Sequence, residues 1–219
     1  MSTIKKWIID TNILVHWLIA QEILKHCINE FHLPQEFLNV YQNRFEKSIA
    51  FLNNALETQK EKHLFFIVEL SLSELFSGVR DEVRSILYFT HGIPISRWVS
   101  KRETQEVRFP ENLSEQLYNL ASRALDTLLD EQKIEIIPAS SGEDNYLDVY
   151  SSLIFLHPDL KTQDAILLTT GIFEECNYFV TTDRALIKLN REIEPQYKMA
   201  LINTHKALNI LASKKASTI

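Results

Sequence analysis

Five short apolar runs, set apart by long amphipathic stretches, constrain the fold of this chain more than any other feature. The runs cover residues 7–9, 64–68, 134–137, 178–181 and 199–202. Each is short enough for a buried strand, and several are rich in the β-branched or aromatic residues that strands favour. Strands that alternate with helices predict a parallel sheet with helices on both faces. We therefore expect the α/β fold class, with a central five-stranded, mostly parallel sheet.

The stretches between the runs carry apolar residues every three or four positions, which is the spacing of amphipathic helices. This pattern predicts helices over residues 12–31, 34–60, 71–89, 113–130, 145–156, 163–175, 184–190 and 204–212. The sequence contains no internal repeat. We expect a single domain over residues 1–212, with helical insertions at about 20–63 and 91–132, followed by a flexible tail at 213–219.

Charge and cysteine content argue against several classes of protein and site. The net charge of −6 argues against a protein that coats nucleic acid through a broadly basic face, although it is compatible with a nuclease. The two cysteines, Cys27 and Cys176, are far apart and do not form a zinc-ligand pattern. No apolar run reaches the roughly 18 residues of a membrane span, and no signal peptide is recognised. These features predict a cytoplasmic protein with no membrane association.

Four acidic residues occupy related positions in the predicted fold. Asp10 and Asp183 each come at the end of a predicted strand, Asp164 lies in a first helical turn, and Glu74 lies inside the helix after the second strand. Each could be a helix cap or a first-turn acid, and Glu69 competes with Glu74. However, the carboxyl ends of parallel strands meet at one edge of a sheet. We therefore expect the four acids to converge there.

The motifs around these acids carry a family resemblance. They are Ile9-Asp10-Thr11-Asn12 after the first strand, Glu74-Leu75, Asp164-Ala165 opening a helix, and Thr181-Thr182-Asp183 followed by Arg184. Their order and strand context, from residue 4 to about 202, resemble the PIN-domain nucleases. The segments at about 20–63 and 91–132 are longer than in the small toxin members of that family. Ala185-Leu186 stand where the family often has an aromatic residue.

The resemblance implies a metal-dependent ribonuclease, most simply an endonuclease, in which all four acids are catalytic and bind metal. Carboxylates without histidine or cysteine favour Mg²⁺ or Mn²⁺. In this hypothesis Asp10, Asp164 and Asp183 are the main ligands, and Glu74 binds a second ion directly or through water. Asn12 and Thr181 would orient the acids.

The expected partners follow from the same resemblance. They are an RNA substrate, an antitoxin protein if the chain is the toxin of a toxin–antitoxin pair, and a second copy in a homodimer. An antitoxin could insert an arginine among the acids and displace the metal. The candidate RNA contacts are Arg80, Arg84 and Arg184, together with the basic cluster Arg97, Lys101 and Arg102.

Two other functions are compatible with the sequence. One is a PIN-like binding scaffold that has lost catalysis. The other is a phosphotransferase of the haloacid-dehalogenase type, which also places an aspartate after its first strand. That class normally carries a second aspartate two residues later, where this chain has Asn12. The seven histidines form no pair near the acids, and none is expected to be catalytic.

Overall fold

A five-stranded parallel sheet forms the centre of the protein. A computed structural model describes residues 4–58, 62–94, 97, 111–130 and 134–213. The strands are β1 (Lys5–Ile9), β2 (His63–Val68), β3 (Ile134–Ile137), β4 (Tyr178–Val180) and β5 (Ala200–Ile202), in the spatial order β3-β2-β1-β4-β5. Every neighbouring pair is parallel. The predicted α/β class is therefore confirmed, and the sheet is entirely parallel.

Helices fill the connections between the strands. Their bounds are α1 (Thr11–Leu18), α2 (Leu24–Glu30), α3 (Gln35–Asn43), α4 (Glu46–Glu57), α5 (Glu69–Thr90), α6 (Glu111–Asp130), α7 (Tyr146–Leu156), α8 (Thr162–Phe173), α9 (Arg184–Lys188), α10 (Asn190–Tyr197) and α11 (Thr204–Ser213). A π-helical segment, Ile19–Ile23, joins α1 to α2.

The sheet separates two apolar cores, as the alternation of side chains along a strand requires. Trp7 and Ile9 of β1 face the larger core, to which α1 to α6 and α11 contribute. Ile8 faces the smaller core, to which α7 to α10 contribute. Helices therefore cover both faces of the sheet, as predicted.

Two helix predictions were wrong in detail. The stretch 34–60 is not one helix, because the chain turns at Arg44 and Phe45 and α4 begins anew at Glu46. This turn brings the Phe45 ring, which is 4% exposed, to 4.2 Å from the His16 ring, centroid to centroid. The second difference is α10, which was not predicted. It forms despite Pro195, and its Ile193 is buried in the smaller core.

The strand order creates a switch point beside β1. From β1 the chain builds outward through β2 to β3 on one side, whereas β4 and β5 lie on the other. Helices that follow β1 and β4 consequently pack on opposite faces, which leaves a crevice at the carboxyl ends of these two strands. The residues that end β1 and follow β4 are thus the first place to look for a functional site.

The remaining global features concern the membrane and the cysteines. Within the described ranges, no helix combines the length and the apolar character that a membrane span requires. Cys27 and Cys176 are both buried and free of any disulfide bond.

Candidate active site

Asp10 lies at the centre of the site, directly after β1. Its backbone N–H donates to the Val180 carbonyl of β4 at 3.0 Å, so the pairing of the two strands fixes its position. The residue is 4% exposed. The Thr181 hydroxyl donates to Asp10 Oδ2 at 2.6 Å, and Asn12 Nδ2 approaches the same oxygen at 3.4 Å. The two residues that the sequence predicted to orient the acids therefore both contact Asp10.

Burial raises the pKa of Asp10 from its ordinary value of 3.8 to about 6, and the negative charge of Asp164 adds to the rise. The hydrogen bonds from Thr181 and Asn12 oppose it, because they stabilise the carboxylate. Both donors are neutral. The carboxylate is thus hydrogen-bonded but not neutralised, and a cation would stabilise it.

Asp183 is connected to Asp10 through one hydroxyl group. The backbone N–H of Asp183 donates to Thr181 Oγ1 at 2.9 Å, while that hydroxyl donates onward to Asp10. Asp183 also caps α9, since its Oδ1 accepts a hydrogen bond from the Ala185 N–H at 2.6 Å. Asp183 is therefore a helix cap, as one reading of the sequence allowed. The cap uses only Oδ1, so Oδ2 is left for another partner.

Glu74 reaches the site from α5, one turn into the helix. Its Oε2 accepts a hydrogen bond from the Thr11 hydroxyl at 3.1 Å, and Thr11 follows Asp10 directly. Glu69, the competing acid, is the first residue of α5 and is exposed. The structure brings Glu74, rather than Glu69, towards the end of β1.

Asp164 completes the group from the first turn of α8. Burial raises its pKa, the nearby Lys161 opposes the rise, and the charges of Asp183 and Glu74 increase it further. Since Asp164 also acts on Asp10, it interacts electrostatically with all three other acids. Four acids from four separate elements thus lie near the switch point of the sheet, with the other three within electrostatic range of Asp164.

These acids are of the residue type that binds hard cations, but they do not stand close enough together to form a ready-made site. Carboxylate oxygens are the ligands that Mg²⁺ and Mn²⁺ prefer. Among the described residues, no ion pair joins any of the four acids to a basic side chain. In the same part of the chain, no group of three or more acidic, histidine or cysteine residues stands close enough to count as a ready-made metal site. The donor set fits a hard cation, and binding would have to draw the acids together.

A pocket of about 370 Å³ opens beside two of these acids. We call it the acidic pocket; Asp164 and Asp183 lie in its wall. Leucine side chains and the bases Lys161 and Lys188 make up much of the remaining wall. At one end, His157 Nε2 lies 3.6 Å from Glu192 Oε2. The pocket therefore adjoins Asp164 and Asp183 between residues 156–161 and α9.

The predicted RNA contacts differ in their surroundings. Arg184 is exposed and directly follows Asp183. Arg80 is also exposed, with Nε 3.9 Å from Asp81 Oδ1. The Arg84 side chain is only 12% exposed and pairs with Asp81 at 3.3 Å, which does not favour an RNA contact. Arg97 is exposed, and Lys101 and Arg102 lie outside the described residues.

The sequence analysis did not single out two residues that the structure brings into the site. Thr11 holds Glu74, and Lys161 acts on Asp164. Thr11 belongs to the Asp-Thr-Asn motif, so its position was a usable signal. No sequence signal pointed to Lys161, because its electrostatic effect on Asp164 depends on the path of the chain into α8.

Comparisons with protein-family models, with curated proteins and with solved structures gave no match to this chain. Any functional assignment therefore depends on the residues and their arrangement.

Proposed function

We propose that this protein is a metal-dependent ribonuclease of the PIN-domain kind, with Asp10, Glu74, Asp164 and Asp183 as its active site. One observation carries the proposal: these four acids come from four separate elements to the switch point of a parallel sheet. Asp164 lies close enough to the other three to interact with each of them. A helix cap or a surface acid needs no such convergence.

The four acids would hold the metal, and Mg²⁺ or Mn²⁺ is the class of ion that their oxygens suit. When bound, such an ion polarises a phosphodiester, lowers the pKa of a water molecule and stabilises the leaving oxygen. The acids also repel one another, which favours a cation over an empty cluster at neutral pH.

The neighbouring residues have positioning roles in this proposal. Thr181 fixes one oxygen of Asp10 and also receives the Asp183 backbone N–H, so it sets the distance between these acids. The Thr11 hydroxyl likewise fixes one oxygen of Glu74, through the hydrogen bond that it donates. The burial of Asp10 excludes water from that carboxylate. A geometry held in this way lowers the cost of arranging the acids around a metal ion and an RNA phosphate.

The decisive experiment is cleavage of a mixed RNA pool with Mg²⁺ or Mn²⁺, comparing the native protein with Asp10→Asn. Asp126→Asn is the matched control, because it is the same chemical change at an exposed position on α6. We expect cleavage by the native protein and the control, and none by Asp10→Asn or with EDTA. Full activity of a folded Asp10→Asn variant would overturn the assignment.

A non-catalytic scaffold of the same fold is the second candidate. The observation in its favour is that the described residues contain no close group of three or more potential ligands. Calorimetry with Mn²⁺ separates the two functions. The scaffold predicts no heat of binding and no cleavage, whereas the ribonuclease predicts both, and predicts that Asp10→Asn loses both.

The partners are also proposals. A toxin would require an antitoxin that covers the acids, and an arginine inserted among them is the simplest way to replace a cation. A processing enzyme requires no such inhibitor. Co-expression with the product of an adjacent short reading frame, followed by the cleavage assay, distinguishes the two. Sedimentation of the purified chain tests the homodimer.

A further inference from the structure

A second pocket, of about 580 Å³, lies next to the acids on the side away from the acidic pocket. Thr182 and Arg184 line it, whereas Asp183, between them, lines the acidic pocket. Asp183 has extended backbone angles, φ −74° and ψ 118°. Side chains alternate along extended backbone, so this one segment serves both pockets. The second pocket therefore adjoins the acids directly.

Three basic side chains line this pocket, which we call the basic pocket. Arg44, Lys47 and Arg184 come from the turn before α4, from the first turn of α4 and from α9, and all three are exposed. Glu46 is the only carboxylate among the described residues of its wall. Bases therefore outnumber carboxylates in the described wall of this pocket, in a chain whose net charge is −6.

The guanidinium of Arg44 is held in place at the rim. It lies 4.9 Å from the ring centroid of Tyr41 and 5.1 Å from that of Phe45, within the range of cation–π contacts. Behind it, His16 hydrogen-bonds with Ser48 and stacks on Phe45. Burial lowers the pKa of His16 to about 4, so this histidine is a neutral part of the wall at pH 7.

Two long helices also begin at the pocket. The first turn of α4 supplies Glu46, Lys47 and Ser48, and the start of α11 supplies Thr204 and His205. Helix N-termini carry partial positive charge, which adds to that of the bases and favours phosphate groups. Much of this wall, residues 43–48, belongs to the helical insertion of this chain.

We propose that the basic pocket binds the phosphate backbone of single-stranded RNA beside the bond to be cleaved. The inference rests on the proposed function, because it assigns the substrate of that function to a surface. The bases are exposed, whereas the Phe45 ring in the wall is only 4% exposed, so the pocket suits the phosphate backbone rather than the nucleobases. The RNA would then run from the basic pocket to Asp183 and on to the other three acids.

The test is the affinity for a short, fluorescently labelled single-stranded RNA, measured by anisotropy in EDTA so that no cleavage occurs. The test variant is Lys47→Glu combined with Arg184→Glu. Lys25→Glu combined with Arg191→Glu is the control, since it makes the same charge change at exposed positions outside the pocket lining. Melting curves check that both variants are folded.

We expect the pocket variant to lose about tenfold or more in affinity, and the control much less. The slope of log K against log salt should become shallower by about 0.7 for each RNA phosphate that the variant no longer neutralises. The neutral pair Lys47→Gln and Arg184→Gln should fall between the native protein and the charge reversal.

The outcomes separate this inference from the proposed function. If the native protein does not bind RNA at low salt, or if the pocket variant binds like the control, the basic pocket is not the RNA surface. If the native protein cleaves RNA while the pocket variant binds normally, only the pocket assignment fails. RNA binding that depends on the pocket, without metal-dependent cleavage, would retain the pocket and overturn the nuclease.

Discussion

The acidic and basic pockets share the segment from Thr182 to Arg184, yet they are built differently. Four leucines and three aspartates line much of the acidic pocket, whose wall comes from residues 156–161 before α8, from Asp164 of α8 and from residues 183–189. The basic pocket takes about half of its wall from residues 43–48, in the helical segment between β1 and β2. In the proposed function, the acidic pocket would carry the chemistry, whereas the basic pocket would supply affinity for the RNA.

The burial of the charged groups differs in the same way. Asp10 is almost fully buried, Asp164 and Asp183 are half-buried, and the three bases of the basic pocket are exposed. Buried charges are sensitive to protonation and to bound ions, while exposed charges respond to salt. The two pockets should therefore react to different changes in solution.

The largest expected effect separates turnover from binding. In the proposed function, Asp164→Asn should lower kcat for RNA cleavage by about 100-fold or more with little change in KM, because it would remove a metal ligand needed in the transition state. Lys47→Glu with Arg184→Glu should raise KM and leave kcat nearly unchanged. Steady-state kinetics on one RNA, with Asp126→Asn as control, measures both. If both variants changed the same kinetic constant, the division of labour between the pockets would be wrong.

The next effect concerns stability and comes from Asp10. Its folded pKa is raised, so between pH 3.8 and about 6 the folded state binds more protons than the unfolded state. Stability therefore falls as pH rises through this window. Asp10→Asn avoids that loss and should be more stable than the native protein at pH 8, by on the order of 1–3 kcal/mol. Below about pH 4 the difference should vanish.

Chemical denaturation across this pH range, without divalent metal, measures the difference. Adding Mg²⁺ or Mn²⁺ at pH 8 should then stabilise the native protein more than Asp10→Asn, because only the native site keeps all its carboxylates. The exposed Asp126→Asn variant should stay within about 0.5 kcal/mol of native throughout. A native protein that is the more stable one at pH 8 without metal would contradict the raised pKa.

The positions of Asp10 and Asp183 could be predicted because each follows a short apolar run that is recognisable as a buried strand. Asp10 and Asp183 follow apolar runs, and parallel strands bring such ends to one edge of a sheet. The choice between Glu69 and Glu74 was harder from sequence alone. It depends on a contact between Glu74 and Thr11, residues 63 apart, and no local pattern encodes such a contact.

The basic pocket could not be predicted for a similar reason. Periodicity ran unbroken through residues 34–60, so the turn at Arg44 and Phe45 was not visible. That turn depends on the packing of the buried Phe45 ring against His16, which is a tertiary contact. Without the turn, Arg44 and Lys47 would lie along one continuous helix. Sequence proximity to the acids placed Arg84 among the candidate RNA contacts, whereas in the structure its side chain is only 12% exposed and pairs with Asp81.

The smallest effect tests whether one residue of the basic pocket has both a structural and an electrostatic role. Asn203 lines the pocket, and its Oδ1 accepts a hydrogen bond from the Lys206 N–H at 2.8 Å, which caps α11. Asn203→Ala should cost about 1 kcal/mol of stability when the cap is removed. Asn203→Asp keeps the capping oxygen and should keep the stability, but it adds a negative charge to the pocket.

The two variants should therefore separate in two measurements. In thermal unfolding, Asn203→Ala should melt about 2–4 °C below native, and Asn203→Asp should melt near it. In RNA binding the order should reverse, since the added charge repels phosphate whereas the alanine leaves the bases unchanged. Equal melting of all three proteins would mean that the capping bond contributes little. Native RNA affinity in Asn203→Asp would instead show that the backbone of the RNA does not enter the basic pocket.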